Sequence, residues 1–277
     1  MSRYQQLFDR LGPDTGAFVP FVMLGDPTFE ISEAIIDTVV AAGADALELG
    51  IPFSDPVADG PTIASAHVRT LAQGMTVSRS FELVARIRTK YPQLPIGLLV
   101  YSNMVVSRET MQFYADCAAA GVDSVLVPDV PLRESAPLRL AAEAHAIAQI
   151  FIAPAGATAT TLAEVAKYSQ GYIYAISRDG VTGTQLRAQT KGLDTTVAQL
   201  RAYGGAPVFL GFGISTPAHV HDAIAAGATG AISGSALTAI VERHLPLADT
   251  EEARSALLTD VASFVTAMKQ GTLLGEA

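Results

Sequence analysis

The sequence predicts a (β/α)8 TIM barrel with an extra N-terminal helix, and three observations support this fold. Eight short apolar runs recur along the 277 residues, amphipathic segments separate them, and three of these segments end in Ala-Ala-Gly. Nearly continuous apolarity is typical of strands buried on both faces. Strands that alternate with helices favour a closed parallel barrel, and an open doubly wound sheet is the alternative.

The eight predicted strands lie far enough apart for a right-handed crossover between each pair. They are AFVPFVML from Ala17, DALELGI from Asp45, PIGLLVY from Pro95, DSVLVPD from Asp123, AQIFIAP from Ala148, GYIYAIS from Gly171, PVFLGFG from Pro207 and TGAISGS from Thr229. All are rich in Val, Ile, Leu or Phe, or in small apolar residues that suit a barrel interior.

Apolar residues spaced three and four apart predict helices between these strands. The clearest segments are EISEAIIDTVVAAG, SFELVARIRTK, ETMQFYADCAAAG and TPAHVHDAIAAG. Gly43, Gly121 and Gly227 stand where a helix stops and a strand begins, so we expect them to be C-caps in repeated units.

Two terminal helices complete the predicted barrel. The first has an apolar face that consists of Tyr4, Leu7, Phe8 and Leu11. We expect this face to cover the bottom of the barrel. The segment ARSALLTDVASFVTAMKQ predicts a closing helix. Because no linker divides the chain, we expect a single domain over residues 1–277.

Composition narrows the classes of function. With 27 acidic and 18 basic residues the formal net charge is -9, so no basic surface is expected for nucleic acid. No apolar run is long enough to span a bilayer and no signal-type region opens the chain, so we expect a cytoplasmic protein without a membrane partner. The single cysteine, Cys117, lies in a helical pattern and is expected to be a buried hydrophobe.

Glu48 interrupts an apolar strand. Alternation along DALELGI places Leu47 and Leu49 on the outer face and Glu48 on the inner face, near the end of the barrel that holds active sites. An unpaired buried charge is costly. Glu48 is therefore either tied to backbone donors or a hydroxyl, or it is a general acid or base whose pKa is raised by apolar surroundings.

The loops after the second and sixth strands are the longest in the predicted barrel. The first, from Phe53 to about Thr76, carries Asp55 and Asp59, and either can supply a second carboxylate beside Glu48. The second contains SRDGVTGTQLRAQTKG. Loops of this length in a compact domain are commonly functional lids.

A phosphate site is predicted after the last two strands. GFGIS at Gly211 and SGSA at Ser233 each open a helix, and the N–H groups of a helix start bind anions. Lys90, Lys167 and Lys191 lie outside the strands, which argues against a Schiff-base aldolase. The histidines show no zinc-type spacing; they are His67, His145, His219, His221 and His244. Carbon–carbon cleavage here is therefore expected to use carboxylates and no metal.

Five longer motifs occur together along nearly the whole chain. They are ALELGIPFSDPVADGPTI, IGLLVYSN, GVDSVLVPDVP, SRDGVTG and GFGIS. Their order and spacing resemble those of the tryptophan synthase α subunit family. The resemblance implies a lyase that splits indole-3-glycerol phosphate into indole and glyceraldehyde 3-phosphate in a retro-aldol reaction, with no cofactor in this chain.

The resemblance also implies roles for individual residues. Glu48 matches the general acid/base of the family, and Asp59 matches the carboxylate that stabilises the indole N–H. Thr182 matches a residue that positions the aspartate when the lid closes. Tyr174 matches a tyrosine beside the substrate. The residues that match apolar groups around the indole ring are Phe21, Leu99 and Leu126, and those that match the phosphate donors are Gly183, Gly213, Gly234 and Ser235.

The family's partner is a β subunit that holds pyridoxal phosphate and receives indole through a tunnel, usually in an αββα heterotetramer. Exposed loops are expected to make this contact, at Pro52, Asp55, Asn103 and Pro128. The chain departs from common family patterns at Ala64, where glutamine is frequent, and around Ala155 and Gly156. These departures affect the partner contact more than the core chemistry.

Two other functions compete with this interpretation. Another phosphate-binding barrel, such as an indole-glycerol phosphate synthase or a phosphoribosyl isomerase, needs different site residues, and the synthase needs a lysine at a strand end. A non-catalytic activator of a β subunit would not need both Glu48 and Asp59. The lyase is therefore the favoured prediction.

Overall fold

The fold was analysed in a computed structural model that describes residues 1–176, 192–247 and 250–275. Each of the eight predicted apolar runs forms a parallel strand, one of them in two pieces. The strands are β1 (Ala17–Met23), β2 (Leu47–Gly50), β3 (Ile96–Leu99), β4 (Ser124–Leu126), β5 (Ala148–Ile150), β6 (Ile152–Ala153), β7 (Ile173–Ile176), β8 (Val208–Gly211) and β9 (Gly230–Ser233).

Helices occupy the intervals between the strands, as the spacing of apolar residues predicts. They are α1 (Arg3–Arg10), α2 (Phe29–Ala41), α3 (Pro61–Ala72), α4 (Val77–Lys90), α5 (Ser102–Ser107), α6 (Thr110–Ala120), α7 (Ala136–Ala144), α8 (Ala159–Tyr168), α9 (Leu193–Ala202), α10 (Pro217–Ala225), α11 (Ser235–Arg243) and α12 (Glu251–Gln270). Gly43, Gly121 and Gly227 have φ of 106°, 84° and 94°, so the predicted helix ends are confirmed.

The sheet closes into a barrel through a strand that changes partners. The strand order is β5-β4-β3-β2-β1-β9-β8-β7-β6, and β5 and β6 are separated only by Phe151. Ile150 pairs with Leu126 of β4, whereas Ile152 pairs with Tyr174 of β7. The two pieces therefore join the ends of the sheet, and the predicted eight-stranded barrel is confirmed.

Side chains of the strands divide between two apolar clusters, as expected for a barrel. Leu47 and Leu49 of β2 are buried among helix residues such as Ile36, so the predicted outward direction of these leucines is confirmed. Ala46 belongs to the inner cluster together with Phe21. The alternation therefore points the side chain of Glu48 into the barrel.

Helix α1 covers the barrel end where the strands begin, which we call the closed end. The Tyr4 hydroxyl lies 2.8 Å from Oγ of Ser124, at the start of β4. Tyr172 stacks on Phe209 with ring centroids 4.6 Å apart, and Phe8 meets Phe209 edge-on at 5.9 Å. We call Tyr4, Phe8, Tyr172 and Phe209 the aromatic layer. It confirms that the N-terminal helix covers the bottom of the barrel.

The prediction of one long loop from Phe53 to about Thr76 is wrong, because Pro61–Ala72 forms helix α3. Pro61 occupies the first turn, where its fixed φ suits a helix and its missing N–H leaves no bond unmade. The Gly-Pro pair that favoured a loop therefore marks a helix start. The loop after β2 covers residues 51–60, and we call it the β2 loop. The other predicted lid, from Ser177 to Lys191, lies outside the described residues.

Two smaller observations concern Cys117 and the helices as a group. Cys117 is fully buried on α6, and burial raises the pKa of its thiol far above the ordinary value. This confirms Cys117 as a small buried hydrophobe. None of the described helices combines the length and the apolarity that a membrane span requires.

Candidate active site

The barrel end where the strands finish, which we call the open end, contains a cavity with about 450 Å³ of empty space. The cavity is lined by Phe21, Glu48, Asp59, Ile63, Leu99, Tyr174, Phe212, Gly213, Ile214, Ile232, Gly234 and Ser235. Both predicted catalytic carboxyl groups therefore face the same space.

Most of the predicted binding residues line this cavity, and a few do not. Leu126 is buried in the inner apolar cluster and is not part of the cavity wall. Thr182 and Gly183 lie outside the described residues. Four further residues that were not predicted from the sequence also line the cavity: Ile63, Phe212, Ile214 and Ile232. Ile63 stands four residues after Asp59, and the others flank the predicted phosphate glycines, so their positions in the sequence carried a usable signal.

Glu48 is held inside the barrel by β2, and only 2% of the residue is exposed. The hydroxyl of Tyr172 donates a hydrogen bond to its Oε1 at 3.0 Å. Burial, with a smaller contribution from the charge of Asp59, raises the pKa of Glu48 to about 8 against the opposing effect of the hydrogen bond from Tyr172. At neutral pH the Glu48 carboxyl is therefore largely protonated and can donate a proton into the cavity.

The sequence left two roles open for Glu48, and its contacts combine them. It is tied to a hydroxyl, as the structural alternative requires, but its carboxyl also lines the cavity. Burial and the nearby Glu48 charge raise the pKa of Tyr172 well above its ordinary value. Tyr172 therefore remains a neutral donor that orients Glu48 without competing for its proton.

Asp59 sits at the end of the β2 loop, and 5% of its side chain is exposed. The Tyr101 hydroxyl donates to its Oδ2 at 2.7 Å, and Nε2 of His67 lies 3.1 Å from the same oxygen. The N–H of Phe53 donates to Nδ1 of His67 at 2.9 Å. Because Nδ1 accepts this hydrogen bond, the proton of the neutral imidazole is on Nε2 and points to Asp59.

The β2 loop directs its two aspartates differently, which decides between them. Asp59 lines the cavity, whereas Asp55 is exposed and accepts a hydrogen bond from the hydroxyl of the adjacent Ser54. Asp59 is therefore the second carboxylate beside Glu48.

Tyr174 fills the side of the cavity next to β8. A Cβ on Gly211 would lie only 2.1 Å from the Tyr174 hydroxyl oxygen, so this ring position requires glycine at 211. Burial raises the pKa of Tyr174 well above its ordinary value, and the charges of Glu48 and Asp59 add to the effect. The hydroxyl is therefore a neutral donor or acceptor at the cavity wall.

Three of the predicted phosphate residues meet at one side of the cavity. Gly234 is the N-cap of α11 and Ser235 its first residue, so free N–H groups of this helix start border the space. Gly213 has a φ of 74° in the adjacent loop. Oγ of Ser233 donates to the carbonyl of Ile214 at 2.6 Å and joins the two loops. This arrangement can bind an anion.

The predicted partner contacts differ in exposure. Asp55 and Asn103 are exposed and Pro128 is partly exposed, but Pro52 is buried in this chain. Asp129 accepts hydrogen bonds from the N–H and the hydroxyl of Ser102, at 2.9 and 2.6 Å. The loops after β3 and β4 are therefore joined on the surface that surrounds the cavity.

Comparison with known proteins gives a consistent result. A family model described as tryptophan synthase alpha chain matches residues 9–272. The chain is 58% identical to the tryptophan synthase alpha chain of Corynebacterium diphtheriae, over 98% of this chain and 100% of that protein. It is 54% identical to the alpha chain of Pectobacterium atrosepticum, over 98% and 99% of the two chains.

Solved structures agree with the sequence relatives. A tryptophan synthase structure from Mycobacterium tuberculosis superposes with a TM-score of 0.85 at 29% identity, over 99% of each chain. Tryptophan synthase subunit alpha from Legionella pneumophila superposes with a TM-score of 0.84 at 27% identity, over 98% of each chain.

Proposed function

The chain belongs to the tryptophan synthase alpha chain family, and from this premise we propose that Glu48 and Asp59 carry out its reaction. The alpha subunit is a lyase of tryptophan biosynthesis that cleaves indole-3-glycerol phosphate, and indole passes to the β subunit. One observation carries the assignment of residues. A buried carboxyl with a pKa near 8 shares a cavity with a second, hydrogen-bonded carboxylate.

Glu48 starts the reaction as the acid. Its carboxyl is protonated near neutral pH because burial raises its pKa to about 8, so it can donate a proton to C3 of the indole ring. Protonation at C3 gives an indolenine cation, and the bond from C3 to the glycerol carbon is then ready to break.

Bond cleavage returns the electron pair to the ring and restores aromatic indole. The hydroxyl on the departing glycerol carbon loses its proton and becomes the aldehyde of glyceraldehyde 3-phosphate. Glu48, now a carboxylate, accepts this proton and returns to its acid form. The proton balance closes on one residue, which requires a pKa near the working pH rather than the ordinary value of a glutamate.

Asp59 stabilises the positive charge on the indole N–H while C3 is protonated. The hydrogen bonds that His67 and Tyr101 make with its Oδ2 support this role because they favour one orientation of the carboxylate. The two carboxyl groups lie in unlike surroundings, and such a difference allows one to act as an acid while the other remains a charge.

The remaining lining residues bind the two ends of the substrate. We assign the indole ring to the apolar walls, the phosphate to the α11 side, and a position beside the substrate to Tyr174. The apolar residues are Phe21, Ile63, Leu99 and Ile232, with Leu126 in the same apolar cluster, and the phosphate donors are Gly213, Gly234 and Ser235. Gly183 as a further phosphate donor and Thr182 as a residue positioning Asp59 stay predictions from the family resemblance.

The alpha chain acts with a β subunit, and we propose an αββα heterotetramer in which pyridoxal phosphate belongs to the β subunit. The exposed Asp55 and Asn103, near the cavity opening, support contact on this face, together with Pro128 and the backbone around Pro52. We also propose that the chain forms a single domain, and the continuous order of strands from β5 to β6 supports this. We further propose a cytoplasmic location.

An indole-release assay tests the proposed function directly. Purified chain incubated with indole-3-glycerol phosphate should release indole slowly alone and faster with a β subunit. Asp59→Asn should lower turnover of the free chain about a hundredfold, the scale of a lost charge stabiliser. Asp55→Asn in the same loop is the matched control and should leave that turnover unchanged. No indole from the wild-type chain in either condition would contradict the proposal.

A further inference from the structure

His67 lies next to the proposed active site without lining its cavity. It stands four residues after Ile63 on α3, so the two side chains share a helix face, and Ile63 lines the cavity. Only 2% of the His67 side chain is exposed. Its ring lies 6.2 Å from that of Tyr101, which stacks on Phe53 at 5.3 Å. These rings keep the His67 contact with Asp59 away from bulk water.

Hydrogen bonds from the β2 loop determine where the protons of His67 and Tyr101, two donors to Asp59 among the described residues, point. Phe53 N–H donates to Nδ1 of His67, so the imidazole proton is on Nε2. Ala58 N–H donates to the Tyr101 hydroxyl oxygen at 3.2 Å, so the hydroxyl proton is available for Asp59. His67 and Tyr101 are therefore each oriented by a backbone amide of the loop that carries Asp59.

We propose that His67 is a positioning residue that holds the Asp59 carboxylate in the orientation needed to face the indole N–H. This inference rests on the role assigned to Asp59 above. The bond between Cβ and Cγ of an aspartate has a broad rotational preference. His67 on α3 and Tyr101 after β3 both contact the same Oδ2, and together they define the plane of the carboxylate. Low polarity around the rings strengthens both bonds.

A purely structural role for His67 gives a different expectation. In that case the important contact is the one from Phe53 N–H to Nδ1, which fastens the β2 loop to α3. The two ring nitrogens thus serve two separable roles: Nδ1 anchors the loop, and Nε2 orients Asp59. Substitutions that preserve one nitrogen's contact at a time can distinguish them.

Three variants at this position form the test. In His67→Gln the side-chain amide can reach the place of Nε2 and still donate to Asp59. In His67→Asn the side-chain carbonyl takes the place of Nδ1 and still accepts from Phe53 N–H, but the side chain is too short to reach Asp59. His67→Leu removes both contacts. For the full chain without β subunit, indole release would give kcat and KM. Thermal unfolding of the same variants would give Tm.

Loss of orientation should lower kcat about tenfold in His67→Asn and His67→Leu, since misplacing a catalytic group slows the step it serves. KM should change less than about twofold, because His67 does not line the cavity, and His67→Gln should restore most of the turnover. In an Asp59→Asn background the same His67 changes should have almost no further effect on kcat, because both act through one carboxylate.

The opposite ranking would overturn the inference. If His67→Asn keeps wild-type kcat while His67→Gln loses it, the histidine only anchors the loop. Wild-type kcat in His67→Leu, or equal losses in His67→Gln and His67→Asn, would also overturn it. Activity of the wild-type chain decides the proposed function separately, because only the ranking of the His67 variants bears on positioning.

Discussion

The two ends of the barrel surround carboxyl groups with opposite kinds of partner. At the closed end, Asp123 accepts hydrogen bonds from the guanidinium groups of Arg3 and Arg88, at 2.8 and 2.6 Å, and from the N–H of Ile96 at 2.8 Å. At the open end, Glu48 accepts a hydrogen bond from the neutral Tyr172 and faces the like charge of Asp59. The same chemical group is thus held by two ion pairs at one end and is placed to transfer a proton at the other.

Two carboxyl groups that are largely shielded from water therefore take different roles, and their partners differ in kind. Two cations and a backbone donor compensate the desolvation of Asp123. Glu48 has a neutral donor and a repelling neighbour among the described residues, so it gives up its charge instead. Barrels of this type commonly separate stability from catalysis between their two ends, and here the separation is visible in two residues.

The contrast between the two ends depends most strongly on the catalytic role of Glu48. Glu48→Gln should keep substrate binding but lower kcat more than about a hundredfold, because the amide can neither donate nor accept the transferred proton. Steady-state indole release gives kcat and KM together. Turnover close to that of the wild type would return Glu48 to a structural role.

The pH dependence of stability tests whether Glu48 at the open end is protonated in the folded chain. The pKa of Glu48 is about 8 in the folded chain, against an ordinary value of 4.5, so between these values the folded state binds more protons than the unfolded state. Wild-type stability should therefore fall as pH rises through this window, by at most a few kcal/mol. Urea unfolding across the window, compared with Glu48→Gln, should show the variant gaining relative stability up to about pH 8.

A second variant tests the cause of that pH dependence. The hydrogen bond from Tyr172 lowers the pKa of Glu48. Tyr172→Phe should therefore move the upper limit of the window to higher pH. The same curve in Tyr172→Phe and the wild type would mean that this bond does not control the proton on Glu48.

At the closed end the expected effect is on stability alone. Asp123→Asn should lower the free energy of unfolding by about 2 kcal/mol, because it leaves Arg3 and the largely buried Arg88 without a counter-charge. Its kcat should match that of the wild type at temperatures where the variant is folded. Urea unfolding gives the free energy of unfolding and indole release gives kcat, both measured on the same preparation. A fall in kcat with normal stability would contradict the assignment of stability to the closed end and catalysis to the open end.

The sequence predicted the parts of this molecule that depend on local pattern. Alternation along β2 placed Glu48 inside the barrel, and the Ala-Ala-Gly repeats marked three helix ends, because both follow from backbone periodicity. The start of α3 was missed, since Pro61 after Gly60 also fits a turn.

Contacts between distant segments could not be predicted in this way. Tyr172 lies 124 residues from Glu48 along the chain, and Tyr101 lies 42 residues from Asp59. Only the closed barrel brings these hydroxyls to their carboxylates. His67 was close to Asp59 in sequence, but its importance depends on the path of the β2 loop, which composition does not reveal. The choice between Asp55 and Asp59 depends on the same path.

The aromatic layer at the closed end also determines how molecules enter and leave. Tyr4, Tyr172 and Phe209 are almost entirely buried against one another below Glu48, which bars diffusion through that end. Substrate and both products therefore share the opening at the other end. A β subunit that covers this opening can decide whether indole reaches solvent or the second active site. Because the aromatic layer blocks the closed end, the route of indole depends on where the partner binds.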